Sequence, residues 1–124
     1  MADEQLVREI SDAITAHLVW KQRLVTAIET GKPQHSPIAA GSDRHCAFGK
    51  WLYGPKVSPQ VQVSRPYAVV RRLHAGFHRS AGRILSLVEQ GQIKQAQLTL
   101  HRDFEAQSDL LIRALQKWRR ELAG

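Results

Sequence analysis

Sulfur is scarce in this chain: one cysteine, Cys46, and one methionine among 124 residues. A single cysteine forms no internal disulfide, which leaves Cys46 as a packed thiol, a nucleophile or a metal ligand. Long apolar runs are also missing. None approaches the ~20 residues of a membrane span, and Met1-Ala2-Asp3-Glu4 lacks the basic-then-apolar pattern of a secretory signal. The expected setting is therefore reducing and cytoplasmic, without membrane insertion. Strand-like alternation, internal repeats and low-complexity tracts are absent, as are a glycine-rich phosphate loop and an H-E-x-x-H motif. Ala75, Gly76 and Phe77 separate His74 from His78, with no nearby carboxylate to act as general base. These absences argue against an enzyme. Acidic residues are the minority charge, 11 against 18 basic, for a net charge of +7. Nucleic acid would suit such a balance. However, Arg71, Arg72, Arg79, Arg83, Arg113, Lys117, Arg119 and Arg120 recur at helical spacing with few interleaved aromatics, so they read as solvated helix faces and nucleic acid remains the minor reading.

What is present is helical periodicity. Leu6, Ile10, Ile14, His17, Leu18, Leu24, Val25 and Ile28 form one stripe and predict a helix over 3–30. Asp3 and Glu4 suit its positive end, and Gly31 before Pro33 stops it. Residues 31–42 read as loop, after which Ser42 or Asp43 is placed to cap a short helix carrying Cys46, Trp51 and Leu52. Ser64-Arg65-Pro66 opens the next long helix, whose stripe is Val70, Leu73, His74, Phe77, Ala81, Ile84, Leu85 and Val88. Gly76 and Gly82 lie within it at a cost of about 1 kcal/mol each, which implies close approach of another helix. Gly91 turns the chain into a last helix over about 92–122, with Ile93, Ala96, Leu100, Phe104, Leu111, Leu115 and Trp118 inward. The expected fold is all-α, a four-helix-bundle-like domain over 1–124, with three long helices and a short one carrying the cysteine.

His17 falls on an apolar stripe, where an imidazole needs a hydrogen bond or a metal. His74 and His78, at i and i+4, point the same way about 6 Å apart. With Cys46 they offer three imidazole nitrogens and one thiolate sulfur, the donors that tetrahedral Zn²⁺ takes. Each has a plainer reading when taken alone: a hydrogen-bonded core histidine, or a cysteine packed as a small hydrophobe. Jointly they read as a zinc site. His35 falls in the proline-containing loop and His101 beside the last stripe. His45 points about 100° from Cys46 on a helix and is the nearest substitute ligand.

Three blocks carry a family resemblance: His17-x-x-Trp20, Cys46-x-Phe48-Gly49-x-Trp51 and His74-x-x-x-His78, with 25 and 22 residues between them. In this order and spacing the chain resembles the chemoreceptor zinc-binding (CZB) domain. The resemblance implies that His17, Cys46, His74 and His78 bind zinc, and that Trp20, Phe48, Gly49 and Trp51 pack and position them. It also implies a bacterial regulatory module of chemoreceptors or diguanylate cyclases, responding to zinc or to oxidants such as hypochlorous acid, and commonly a homodimer. Beyond the resemblance, only the small-residue face of Gly76 and Gly82 speaks for the dimer.

Four protein ligands leave no open coordination position, as in structural rather than catalytic zinc sites. Zinc would hold the Cys46 sulfur as thiolate, the form that oxidants attack. The expected function is thus a sensor whose zinc occupancy and Cys46 oxidation change helix packing. A structural zinc module serving dimerisation or interaction is the alternative.

Overall fold

The structure, a computed structural model, describes residues 2–123. The side chain of Asp3, expected at the first helix dipole, lies outside the described residues. Among those residues every regular element is helical: α1 (Ala2–Thr30), α2 (Pro37–Ala40), α3 (Ala47–Leu52), α4 (Pro59–Gln62), α5 (Arg65–Glu89), α6 (Ile93–Thr99), a π-helical turn (Leu100–Phe104) and α7 (Glu105–Ala123). The expected all-α architecture with three long helical segments is what the chain adopts.

The ends of the long helices follow local chemistry. Gly31, at φ +73°, closes α1 through its N–H to the Ala27 carbonyl (2.9 Å), a left-handed position that glycine occupies at no steric cost. Ser64 starts α5, its Oγ accepting the Tyr67 N–H at 3.4 Å, and Pro66 sits in the first turn where no N–H is needed. Gly91, at φ +78°, turns the chain into α6. α7 packs along both α1 and α5, while α2 lies on α5 and α3 on α1. Ile10, Leu24, Phe77, Ile84, Leu85, Phe104, Leu111 and Leu115 are fully buried between the long helices. Arg71, Arg72, Arg79, Arg83, Arg113, Lys117 and Arg120 are exposed and Arg119 half-buried, as solvated faces should be.

Several local expectations are corrected. The segment 31–42 contains α2, capped by Ser36 (Ala39 N–H to Oγ, 3.2 Å); a single turn is too short to leave a periodic pattern. The cysteine helix begins at Ala47, three or four residues later than a Ser42 or Asp43 cap implies, and Cys46 itself caps it, its Sγ accepting the Gly49 N–H at 3.3 Å. Ser42 and Asp43 are engaged elsewhere: Ser42 Oγ accepts the Arg44 N–H, and Asp43 accepts the Tyr53 hydroxyl. The last helix is interrupted, the Glu105 N–H reaching Leu100 O in an i→i+5 bond. The four-residue step from Leu100 to Phe104 suits an α or a π turn, so the apolar spacing does not reveal it. Leu18 leaves its stripe and is 57% exposed, while Ala13, Trp20 and Ala27 are buried in α1.

The two α5 glycines are spent inside the chain. A Cβ on Gly76 would meet the Gln107 side chain of α7. One on Gly82 would stand 2.6 Å from Gly41 Cα and 2.8 Å from Pro37 O. The expected close approach is real, but both residues are buried within one chain, so this face gives no support to a dimer.

Candidate metal centre

The centre lies where α1, α5 and the start of α3 meet. His17 comes from the middle of α1, His74 and His78 from successive turns of α5, and Cys46 from the cap of α3. All three imidazoles are at most 1% exposed, and Cys46 is half-buried. The structure brings all four together: one ligand atom from each lies within 4.8 Å of the others. His45 and His101, considered as substitutes or bystanders, are exposed and outside this group, and so is His35.

The backbone decides which nitrogen each ring presents. His17 Nδ1 lies 2.7 Å from Ala13 O, and His78 Nδ1 lies 2.9 Å from Ala40 O. A carbonyl only accepts, so each Nδ1 carries the proton and each Nε2 carries a lone pair. Those two lone pairs face each other at 3.3 Å, and His74 Nε2 is 3.1 Å from both. Two acceptors cannot hydrogen-bond to one another, and a single proton on His74 Nε2 cannot serve both neighbours at once. A cation among the three nitrogens resolves the conflict.

The spacing fits as well. Nitrogens at 2.0–2.1 Å from one tetrahedral ion stand about 3.3 Å apart, close to the observed 3.1, 3.1 and 3.3 Å. Cys46 Sγ approaches His74 Nε2 at 3.3 Å and His17 Nε2 at 3.9 Å, consistent with the fourth corner. Three nitrogens and one sulfur form a donor set suited to zinc.

Electrostatics points the same way. Burial pushes His17 down to about 4, against the raising effect of its Ala13 bond, and the charge of His78 lowers it further. Burial, together with the charges of His78 and His17, pushes His74 down to about 2. Burial also lowers His78, though the Ala40 bond and Asp43 oppose it. All three rings are therefore neutral near pH 7, the state a metal ligand requires. Burial raises the Cys46 thiol, with hydrogen bonds from the Gly49 and Phe48 backbone working against it. Without a cation the sulfur is held as thiol; an adjacent dication would reverse this.

The motif residues surround the ligands unequally. Phe48 turns its ring edge-on to His17 (centroids 6.1 Å) and His74 (5.2 Å). Trp51 stacks on Phe48 at 5.8 Å and so acts one step removed. Trp20 stands edge-on to His78 at 6.2 Å. Gly49 must lack a side chain: a Cβ there would overlap the Asp43 carbonyl oxygen and stand 2.8 Å from its carbon. The loop leading to Cys46 thus lies directly on the helix that Cys46 caps.

Some contributors escaped the sequence reading. The Ala13 and Ala40 carbonyls that orient His17 and His78 are backbone groups, invisible to side-chain motifs. Phe77 reads as an ordinary core residue, yet its ring packs on His17 (5.0 Å) and His78 (5.3 Å) and, behind them, on Phe104 of the π turn (4.9 Å). Asp43 and Tyr53 bracket α3, with the Arg44 guanidinium 4.1 Å over the Tyr53 ring. Burial and the Asp43 bond push the Tyr53 hydroxyl up to about 12, so it remains a donor. His74 Nδ1, by contrast, is buried without a hydrogen-bond partner among the described residues. On one side the centre opens to solvent through a pocket of about 350 Å³ that reaches His17, Cys46 and His78 beneath Trp20 and Arg23.

No curated protein and no solved structure matches this chain. The family described as the chemoreceptor zinc-binding domain matches residues 17–85, from the first clustered histidine to seven residues past the last. That span is more than half of the chain and contains all four clustered side chains, so the chain belongs to the chemoreceptor zinc-binding domain family.

Proposed function

We propose that His17, Cys46, His74 and His78 hold one Zn²⁺, and that the domain is a regulatory sensor of zinc or of oxidants acting at the Cys46 sulfur. The observation that carries the reading is the pair of opposed Nε2 lone pairs on His17 and His78, each locked in place by a backbone carbonyl. When bound, the ion supplies the positive charge that keeps Cys46 as thiolate. Hypochlorous acid would convert that thiolate to sulfenic acid and chloride, the oxygen passing to sulfur and chlorine leaving with the electron pair. The negative ligand is then lost, and three neutral imidazoles remain to hold a dication. The open pocket over Cys46 gives a small oxidant its path.

Movement on release is confined. Leu52 and Phe48 are buried, and Tyr67 donates to the Leu52 carbonyl at 2.7 Å, so packing holds the far end of α3 whatever happens at Cys46. Asp43, bound to the Tyr53 hydroxyl, ties the incoming loop to the same helix, which leaves the Cys46 side chain itself as the group that responds. The same anchorage favours the second reading, a permanently filled structural module. A homodimer and a bacterial chemoreceptor or diguanylate cyclase as partner complete the proposal on the strength of the family resemblance, and the cytoplasm as its setting rests on the lone cysteine and the sequence pattern.

The test is zinc content of the purified chain, followed by zinc release to a chromogenic chelator during titration with dilute hypochlorous acid. About one zinc per chain, released in step with the Cys46 thiol, is the expected result. Zinc retained while the thiol survives would favour the structural module or a sensor of zinc itself. No zinc after reconstitution would sink the site.

A further inference from the structure

His74, His78 and Gly82 stand at i, i+4 and i+8 on one face of α5. The third member of this ladder carries no ligand atom, but its missing side chain leaves room for the backbone of a neighbouring segment. Gly82 approaches Gly41 so closely that a Cβ would lie 2.6 Å from Gly41 Cα, 2.8 Å from Pro37 O and 2.9 Å from Gly41 N. Each of these atoms is backbone, with no flexible end that could swing aside. Gly41 caps α2 and follows Ala40, whose carbonyl accepts the hydrogen bond of His78 Nδ1–H at 2.9 Å. From Ala40 the chain needs only six residues to reach Cys46.

We propose that Gly82 is a positioning residue for the metal centre: its bare backbone seats the α2–Gly41 segment, which fixes His78 as the Nδ1–H tautomer with Nε2 toward the cluster. Docking of this segment sets His78 and delivers Cys46 at the same time, so two ligands are acquired together. His17 has no such dependence, because its Ala13 acceptor lies one turn back on its own helix. His74 has no acceptor at all among the described residues. His78 is therefore the ligand whose orientation depends on a separate, short element. The inference concerns the assignment of the four residues as zinc ligands and rests on that reading for its metal readout.

The test pairs a metal-free readout with a metal-bound one. Ring-nitrogen NMR of the metal-free wild-type chain should show His78 with a protonated, hydrogen-bonded Nδ1. Gly82→Ala should lose that signal while the corresponding signal of His17 survives. With metal, Gly82→Ala should bind Zn²⁺ roughly 10- to 100-fold more weakly, the usual effect of disturbing an outer partner of a metal-bound histidine. Its Co²⁺-substituted spectrum should also shift from the wild-type bands. Gly41→Ala is milder, its Cβ meeting Pro37 O at 3.1 Å and Gly82 Cα at 3.5 Å, and should give a smaller change of the same kind. An unchanged His78 signal in Gly82→Ala overturns the proposal whether or not the protein binds zinc. So does wild-type Zn²⁺ affinity in Gly82→Ala. Should that variant not fold, an unaltered His78 signal and unaltered affinity in Gly41→Ala overturn it equally. Failure of the wild type itself to bind zinc would strike the ligand assignment instead and leave the NMR comparison to decide the role of Gly82.

Discussion

Gly49→Ala should damage this protein far more than its place in a short helix suggests. Its backbone is ordinary helix, without a positive φ, so strain is not the reason, and alanine would gain about 1 kcal/mol in helix propensity. The obstacle is space. The new Cβ would overlap the Asp43 carbonyl oxygen and sit 2.8 Å from its carbon and 3.2 Å from Arg44 Cα. Contacts between carbons are comfortable only from about 3.5 Å, so the 43–45 backbone must retreat on the order of 1 Å. Asp43 is tied to Tyr53 and Arg44 covers the Tyr53 ring, so the displacement passes directly to Cys46. Overpacking against backbone costs about 1–3 kcal/mol, more than the propensity gain returns, and a sulfur displaced this far leaves the fourth corner of the site. The assay is thermal unfolding of metal-free and zinc-loaded protein, with a competitive zinc titration. Gly76→Ala is the control, since its Cβ meets only movable side-chain ends, that of Gln107 at 2.7 Å and that of Arg79 at 3.6 Å. It should be neutral or stabilising by up to about 1 kcal/mol, with wild-type zinc affinity. If Gly49→Ala behaved like Gly76→Ala, backbone contact at the motif glycine would not be what positions Cys46.

Two further outcomes follow from the same packing. The metal-free protein should lose stability as pH falls from about 6.5 toward 4. His17 is lowered to about 4 in the folded chain against 6.5 unfolded, so the unfolded chain takes the proton first. The stabilisation, about 3 kcal/mol from this ring alone, is complete above 6.5 and drains away below it. Denaturant midpoints of metal-free protein between pH 7.5 and 4.5 measure this, and a flat profile would refute it. Phe104→Ala should cost about 3–5 kcal/mol by chemical unfolding, because the ring is fully buried and backs Phe77 behind the histidines; a loss under 1 kcal/mol would mean that the π turn collapses to fill the void.

The candidate site was legible in the chain because its chemistry is carried by rare residues on strong patterns. His17 on an apolar stripe, His74 and His78 one turn apart, and a sole cysteine beside Phe48, Gly49 and Trp51 need no three-dimensional information to attract notice. The helices were legible for a related reason: apolar spacing over twenty or more residues, ended by Gly31 or started by Ser64, leaves few other conformations. One-turn helices such as α2 and α4 carry too few residues for a period, and a π turn that keeps a four-residue apolar step does not disturb one.

What the sequence by itself determined, then, is the helical class, the extent of α1 and α5, and the identity of four side chains able to share a metal. The tertiary structure decided how they are arranged to do so. Which nitrogen each histidine presents depends on the Ala13 and Ala40 carbonyls, and backbone carbonyls are identical at every position in a sequence. Likewise the roles of Gly49 and Gly82 rest on what lies opposite them, the Asp43 carbonyl and Gly41, across contacts that form only when separate segments pack. Residue type sets which donors exist; packing sets where their lone pairs point.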